Sequence, residues 1–426
     1  MTTVVVPRPA QLAVAAGAVL ALAALAPSHS HLVLLACGGI ALAVLWTTAP
    51  GLLLTLSLPL AYAYWRVGPD ALNMSGADAA LVLGVLVALP YVPWRDRRLQ
   101  RSLLVVIAYE TVILVTVLAH PTGRALFEFA HRGVLVGGSI MVGTALVRLG
   151  ALRFALRWFL FGSLFIAVVA VVDTLTEGFS PAYPLGMQKN AAGNILALAV
   201  LTAVVAAPML RLRRPVLLLI QLTLIGGLLA AQSRGSMLAV IVGFALWTLR
   251  GRSRRPGSAV AILLVIVAMA ATVLLVNDRE ARNIRTEPSA AKFTPEALRE
   301  VDFDAALATW RAHPFFGAGL RYFNEPGANG GEAHNLVIVG LAESGLFGVA
   351  GLCVLFLGMF VVLARLHSRV ATLARLALLV RMLTGLVDIF WVAGRMTVPF
   401  VLVGAAIAID IQQRSSPEPR TVGALA

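Results

Sequence analysis

The chain contains very little cysteine and very little lysine. Its two cysteines, Cys37 and Cys353, both lie within apolar runs, which excludes a disulfide framework in an external loop. Its two lysines are Lys189 and Lys292, and charged residues of all types make up only 13% of the chain. Together with 59% hydrophobic residues, this composition excludes a water-soluble globular domain.

The hydrophobic residues are instead gathered in long runs, and the mean hydropathy is +0.89. About fourteen runs have roughly the 15–25 residues that a membrane-spanning helix needs, and several are short enough to be half-spans. The sequence therefore predicts an all-α, polytopic membrane protein with about 12 (12–14) transmembrane helices. We expect N-terminal transmembrane helices over 1–276, one large helical external loop over 277–333, C-terminal transmembrane helices over 334–411 and a short tail over 412–426.

The net charge of +14 is distributed unequally between the loops. Arginines cluster in alternate short loops that contain almost no acidic residues, near 95–101, 148–157, 211–214, 250–255 and 365–381. Because short basic loops face the cytoplasm, we expect these loops, Arg8 and the tail with Arg414 on the cytoplasmic side. The loop 277–333 is then external. Topology accounts for the basic charge, and no nucleic-acid partner is predicted.

Few ionisable residues lie inside the apolar runs. Glu110 and Asp388 are the clearest cases, each expected near a helix end or paired within the bundle, and Arg381 is expected at the membrane interface. Transporters typically carry several ionisable groups near the bilayer midplane. The sequence therefore favours chemistry at one membrane face over transport.

Two short polar segments separate apolar runs on the external side. Lys189 and Asn190 open a helix, and a cation at a helix N-terminus favours an anion site, with a snorkelling lysine as the alternative. Ser233 and Arg234 lie in a tight external turn, where an arginine departs from the positive-inside rule. We interpret Arg234 as a ligand for phosphate or pyrophosphate.

Residues 295–314 form the main predicted helix of the external loop, because apolar residues recur there at helical spacing. We expect this helix to lie on the membrane surface, flanked by Arg299 and Arg311. His313 and Pro314 end it, and the glycines that follow predict a tight turn. His313 is therefore interpreted as structural.

Asp302 and Asp304 form an Asp-x-Asp triplet on the same predicted helix. Carboxylates in such a triplet can hold a divalent cation, but pairs of aspartates are also common on solvated faces. We expect a structural or solvating role here and predict no metal site.

His334 and Asn335 lie where the external loop re-enters the membrane, at the start of a helix that carries Glu343. The helix dipole favours the neutral form of a histidine at this position, which suits a general base. A hydrogen-bonded interfacial histidine is the alternative.

In this order, the motifs resemble those of the O-antigen ligase and O-antigen polymerase superfamily. They are Lys-Asn at 189–190, Ser-Arg-Gly at 233–235, Trp-Arg-x-His-Pro-x-x-Gly-x-Gly at 310–319, and His-Asn followed by Glu-x-Gly-x-x-Gly at 334–348. The resemblance covers about residues 180–350, and the combination carries it rather than any single motif. Arg299 occupies the position, fourteen residues before the His-Pro pair, where family members usually carry an arginine. Phe303 stands where the family often has tryptophan.

The resemblance implies an inverting, metal-independent glycosyltransferase of the bacterial inner membrane with its site on the periplasmic face. Its partners would be an undecaprenyl-pyrophosphate-linked O-antigen, the lipid A–core oligosaccharide and membrane lipids, with no cofactor. Arg234 and Arg299, helped by Lys189, would bind the donor pyrophosphate, and His334 would deprotonate the acceptor hydroxyl. The supporting positions would be Asn190, Ser233, Asn335, Arg311 and Glu343.

Three alternatives stay open. An O-antigen polymerase uses the same donor but takes a second carrier-linked glycan as acceptor. A protein O-oligosaccharyltransferase of the superfamily often has further periplasmic sequence after its last span, which we do not expect here. A lipid-linked glycan flippase or transporter belongs to another class and needs charge near the midplane. Should His334 not be the base, Glu332 and Glu325 are the next candidates.

Overall fold

The computed structural model describes residues 44–63, 74–249, 266–278, 295–325, 328 and 331–415. Within these ranges the regular secondary structure is helical, which confirms the predicted all-α class. The predicted spans within 1–43, the part of the external loop at 279–294 and the end of the tail from 416 lie outside the described residues.

The helices are numbered in chain order. They are α1 (Pro50–Leu56), α2 (Gly76–Ala88), α3 (Arg97–Ala119), α4 (Gly123–Gly133), α5 (Ser139–Arg148), α6 (Leu152–Thr176), α7 (Lys189–Val205), α8 (Ala207–Leu210), α9 (Arg214–Ala230), α10 (Arg234–Leu249), α11 (Ile266–Asp278), α12 (Pro295–Ala312), α13 (Leu336–Ala364), α14 (Arg369–Gly385) and α15 (Thr397–Ser415).

Four of the described helical segments are long and apolar enough to cross a membrane. They are Arg97–Ala119, the continuous segment Gly123–Arg148 that joins α4 to α5, Leu152–Thr176 and Leu336–Ala364. Further apolar helices of 10–17 residues accompany them, and residues with large exposed apolar side chains cover the outside of the bundle. The chain is therefore a helical membrane protein, whereas the count of about twelve spans and the division into four regions stay predictions.

Close helix contact in the bundle centre depends on small residues. Helix α15 packs along α5, and a Cβ atom at Gly143 would lie 2.0 Å from the carbonyl oxygen of Val401. Gly404 is equally constrained, since its Cβ would lie 2.0 Å from the carbonyl oxygen of Ile140. Small residues that let two backbones approach are a general feature of helix packing in membranes. These two glycines fix the position of the last described helix in the bundle.

One predicted span ends earlier than expected. The apolar run over 372–392 becomes α14, which ends at Gly385, and a largely non-helical segment over 386–396 precedes α15. Arg381 stabilises this segment, because its guanidinium donates to the backbone oxygens of Ile389 and Phe390. Arg381 is only 1% exposed. Arg381 thus lies inside the protein at the opposite end of α14 from Arg369, and not in the basic loop with which the charge pattern grouped it.

Helix α13 is interrupted by Gly345, whose φ of 62° is accessible mainly to glycine. The turn over 313–319 packs into this break. The Ala318 and Gly319 N–H groups donate to the carbonyls of Ala342 and Glu343 over 2.8 and 3.0 Å, and Leu346 N–H donates to Pro314 over 2.9 Å. The predicted stop of α12 at His313 and Pro314 is confirmed, and the turn that follows it joins α12 to α13.

Candidate active site

A polar cavity of about 230 Å³ opens between the starts of α7 and α10, beside α12 and the 386–396 segment. Its polar lining residues are Lys189, Asn190, Asn194, Gln232, Ser233, Arg234, Ser236, Arg299, Thr384 and Asp388. Six of the residues singled out in the sequence therefore line one space: Lys189, Asn190, Ser233, Arg234, Arg299 and Asp388.

Two helix N-termini point their residues into the polar cavity. Helix α7 begins at Lys189, as the sequence predicted, and α10 begins at Arg234, which was expected in the turn before that helix. The N-terminal N–H groups and dipole of a helix attract anions. Placing a cationic side chain at each start adds full charges to these partial ones. The cavity is consequently suited to a multiply charged anion.

Small polar residues hold the two helix starts against each other. The Ser233 hydroxyl donates to Asn190 Oδ1 over 3.2 Å and lies 2.9 Å from the Ser236 hydroxyl. The backbones approach closely here, since a Cβ atom at Gly193 would lie 2.4 Å from that of Ser233. The spacing between the two helix starts is thereby fixed before any ligand binds.

The three cationic side chains reach the polar cavity from different elements. Lys189 comes from α7, Arg234 from α10 and half-buried Arg299 from α12. The Arg234 guanidinium donates to Asn277 Oδ1 over 2.7 Å, which orients it at the end of α11. Because the three cations surround one volume, they can neutralise a pyrophosphate from several directions.

Asp388 forms the inner wall of the polar cavity and is only 3% exposed. It accepts hydrogen bonds from Asn194 Nδ2 over 2.9 Å and from Arg395 Nη1 over 2.5 Å. Burial acts to raise the pKa of Asp388, but Arg395 and the neighbouring His334 outweigh it and leave this pKa below its ordinary value. The carboxylate is therefore anionic at neutral pH.

His334 lies beside this carboxylate, with its Nδ1 3.6 Å from Asp388 Oδ1. Its side chain stays 30% exposed, so the ring is accessible. A carboxylate next to Nδ1 favours the tautomer that carries its proton there and leaves Nε2 as an acceptor. This arrangement of an exposed imidazole and a buried orienting carboxylate suits general-base catalysis.

Asn335 fixes the backbone on which His334 sits. Its Oδ1 accepts from the N–H groups of Val337 and Ile338 over 3.0 and 3.1 Å, which caps α13. Its Nδ2 donates to the carbonyl of Leu386 over 3.0 Å. Asn335 therefore ties the start of α13 to the segment that carries Asp388.

Two of the supporting residues expected from the sequence lie away from the polar cavity. Arg311 is exposed near the end of α12 and does not line the cavity. Glu343 is buried in α13 and belongs to a separate cluster of charged side chains. Glu343 acts on the surroundings of the cavity through this cluster, whereas Arg311 lies on the surface.

This second group, the buried ion cluster, consists of Glu128, Arg132, Arg321 and Glu343. Arg132 donates to Glu128 over 2.8 Å and to Glu343 over 3.0 Å, and Arg321 Nε donates to Glu128 over 2.9 Å. The backbone N–H of Arg321 also donates to Glu343 over 2.9 Å. Through Arg321, the cluster joins the connection between α12 and α13 to α4 and to α13 itself. Burying these charges is tolerable because each is paired and hydrogen-bonded.

The sequence reasoning missed three members of this cluster, Glu128, Arg132 and Arg321. The sequence predicted a span that begins at 132, inside what the structure shows to be α4. Glu128 and Arg132 were therefore not assigned to one helix, where they form an i, i+4 pair. Arg395, the partner of Asp388, was also missed, and its position between two apolar runs is the signal that could have revealed it.

The two alternative bases both lie next to arginines. Glu332 Oε2 is 3.8 Å from Arg321, and burial raises the pKa of Glu332 although Arg321 acts to lower it. Glu325 lies 3.4 Å from Arg124. Neither lines the polar cavity. His334 does not line it either, but it lies beside Asp388, which does, and this makes His334 the better placed base.

The Asp-x-Asp triplet is divided between two environments. Asp302 Oδ1 accepts from the Gly331 N–H over 2.8 Å, whereas Asp304 is exposed. Within the described ranges, no three His, Cys, Asp or Glu side chains are grouped closely enough to hold a metal ion. Asp302 thus has a structural task, which is to fix the backbone of the loop before His334.

A protein-family model matches part of the chain. Residues 216–353, about a third of the chain, match the family model described as O-antigen ligase. No curated protein matches the chain. The matched range contains Arg234, Arg299 and His334, whereas Lys189 and Asp388 lie outside it. The match supports membership in the O-antigen ligase and polymerase superfamily, whose members act in glycan transfer.

Proposed function

We propose that the protein is an O-antigen ligase that moves O-antigen polysaccharide from undecaprenyl pyrophosphate to the lipid A–core oligosaccharide. The observation that carries the proposal is the polar cavity, where Lys189, Arg234 and Arg299 surround one space next to His334 and Asp388. The superfamily match to 216–353 supports the reaction class. The enzyme would lie in the inner membrane with this cavity on the periplasmic face, following the distribution of basic loops.

The donor is held through its pyrophosphate. Arg234 and Arg299 form charge-assisted hydrogen bonds to the phosphate oxygens, and Lys189 adds a third positive charge. These groups are fixed by the helix starts before the donor binds, so they stabilise the negative charge that develops on the leaving pyrophosphate. The undecaprenyl chain remains in the membrane beside the apolar helices.

Transfer is a single displacement. The acceptor hydroxyl oxygen forms a bond to the anomeric carbon while the bond from that carbon to the pyrophosphate oxygen breaks, which inverts the configuration. His334 Nε2 takes the hydroxyl proton, and the bonding electrons leave with undecaprenyl pyrophosphate. Asp388 holds the ring in the required tautomer and stabilises the imidazolium that forms.

A ligase and a polymerase differ in their acceptor, and deletion of the gene distinguishes them. For a ligase, we expect lipopolysaccharide on a gel to lose its long chains while carrier-linked polymer accumulates. A polymerase deletion instead leaves lipopolysaccharide capped with single repeats, and this result would replace the proposed acceptor. Unchanged lipopolysaccharide with a glycoprotein defect would favour the protein O-oligosaccharyltransferase.

Metal independence is a separate expectation. Since arginine and lysine supply the positive charge around the polar cavity and Asp302 is engaged with the loop backbone, transfer by the purified protein should continue in excess EDTA. Turnover of lipid-linked donor is measured before and after chelation. Activity that stops with EDTA and returns with magnesium or manganese would restore the Asp-x-Asp triplet as a cation site.

A further inference from the structure

A second cavity lies at the other end of the bundle, outside everything used by the proposed reaction. Its volume is about 570 Å³, and Arg153, Arg157 and Arg211 line it together with apolar residues of α6 and α8. Helix α6 runs from this cavity to Thr174, whose hydroxyl donates to the carbonyl of Ala230, the last residue of α9 and four residues before the start of α10. The 25 residues of α6 place the two cavities about 35 Å apart along the helix axis.

One wall of this basic cavity is held in place by hydrogen bonds from an arginine. Arg157 Nε and Nη2 donate to the carbonyl of Leu210 over 2.9 and 2.5 Å, at the last residue of α8. Arg211 then takes a left-handed backbone conformation with φ of 48°, which turns the chain at the cavity. Arg153 and Arg211 are exposed. Two accessible guanidinium groups therefore lie around a third that is fixed.

An aromatic stripe continues from the basic cavity along the outer surface of α6. The rings of Phe154, Trp158 and Phe161 are exposed and stack edge to face, with centroids 5.9 and 5.6 Å apart. Phe165 extends the same face of the helix. Exposed tryptophan beside arginine is typical of a membrane interface. Phe161 and Phe165 follow Trp158 along α6, on the side away from the basic cavity.

We propose that this cavity binds the phosphate headgroup of an anionic phospholipid, with an acyl chain lying along the Phe154–Phe165 stripe. Headgroup charge complements the three arginines, and basic pockets between transmembrane helices commonly bind such lipids. A soluble anion lacks the chain that the aromatic stripe would contact. The inference does not depend on glycan transfer, since it uses no residue of the polar cavity.

The test uses the full chain, purified in detergent and titrated with dioleoylphosphatidylglycerol, with bound lipid counted by native mass spectrometry. The double variant Arg153→Gln and Arg211→Gln should weaken lipid binding about tenfold or more, because each basic residue near an anionic headgroup contributes about fivefold. The control is Arg213→Gln with Arg214→Gln, which removes the same charge at the same end from exposed residues that do not line the cavity.

Retained binding in the control and weakened binding in the cavity variant is the expected result. Equal weakening in both would show general surface attraction and overturn the site, as would equal binding of dioleoylphosphatidylcholine. Displacement of the lipid by millimolar inorganic phosphate would identify a soluble-anion site instead. A positional readout independent of the arginines is the quenching of tryptophan fluorescence by brominated phosphatidylglycerol. We expect less quenching in Trp158→Phe than in the wild-type chain.

Discussion

Replacing His334 by alanine should lower turnover about 10²–10⁴-fold, the usual contribution of general-base catalysis, while donor binding is retained. The reason is a separation of tasks in the structure. His334 lies beside Asp388 at the start of α13, whereas the cations that face the donor come from α7, α10 and α12. Transfer rate and donor affinity are measured separately on purified protein. Donor affinity is measured in the absence of acceptor, so that no transfer occurs.

Two comparisons make the result specific. His313→Ala removes a histidine that is exposed and packs on His120, so this variant should keep most of its turnover. Asp388→Asn should reduce turnover in the wild-type chain but add little in the His334→Ala chain, because Asp388 acts through the ring that has been removed. Lost donor binding with normal residual chemistry would make His334 a pyrophosphate ligand instead.

Local signals in the sequence pointed to residues that line the polar cavity. Lys189 was expected to open a helix and is the first residue of α7, because the change from polar loop to apolar run marks a helix start without any knowledge of tertiary structure. Arg234 was expected in a tight external turn and is the first residue of α10. Charge was a second local signal, since Lys189 opposes the dipole preference of a helix start and Arg234 departs from the positive-inside rule. That the two starts face one cavity follows from packing at Gly193 and Ser233, which no sequence pattern reports.

The partner of His334 could not be found in this way. Asp388 is 54 residues further along the chain, and it lies at the end of an apolar run that hydropathy assigns to a span. The structure instead ends α14 at Gly385 and holds the next residues through Arg381 and Arg395. Hydropathy averages over a window, so it does not resolve a break that side-chain hydrogen bonds create.

Motif spacing also failed to separate chemistry from packing. Glu343 was grouped with the site because it follows His334 in a recognisable pattern, yet it bonds Arg132 and the backbone of Arg321. The glycine two residues later breaks α13 and receives the turn after His313. Both motifs are therefore explained by one structural junction. Residues of the two motifs are far apart in sequence but contact each other at this junction, and the contact is visible only in the structure.

Replacing Arg234 by alanine should abolish most transfer for a different reason, the loss of the donor site. One preorganised hydrogen-bonding group that faces developing negative charge contributes about 10²–10³-fold to turnover. The affinity for the glycan donor should fall as well, unlike in His334→Ala. Arg234→Lys should recover little of either, since an ammonium lacks the two parallel N–H groups that match a phosphate. Donor binding and turnover are measured with undecaprenyl-pyrophosphate glycan and purified protein.

The matched control for Arg234→Ala is Arg311→Ala. Arg311 carries the same charge and lies on α12 together with Arg299, but it is exposed and does not line the polar cavity. We expect Arg311→Ala to retain donor binding, and we expect both variants to unfold at the wild-type temperature, because Arg234 and Arg311 are not in the buried ion cluster. Full turnover in Arg234→Ala would remove this residue from the donor site. An equal loss in both variants would show that general positive charge, and not the geometry of the cavity, attracts the donor.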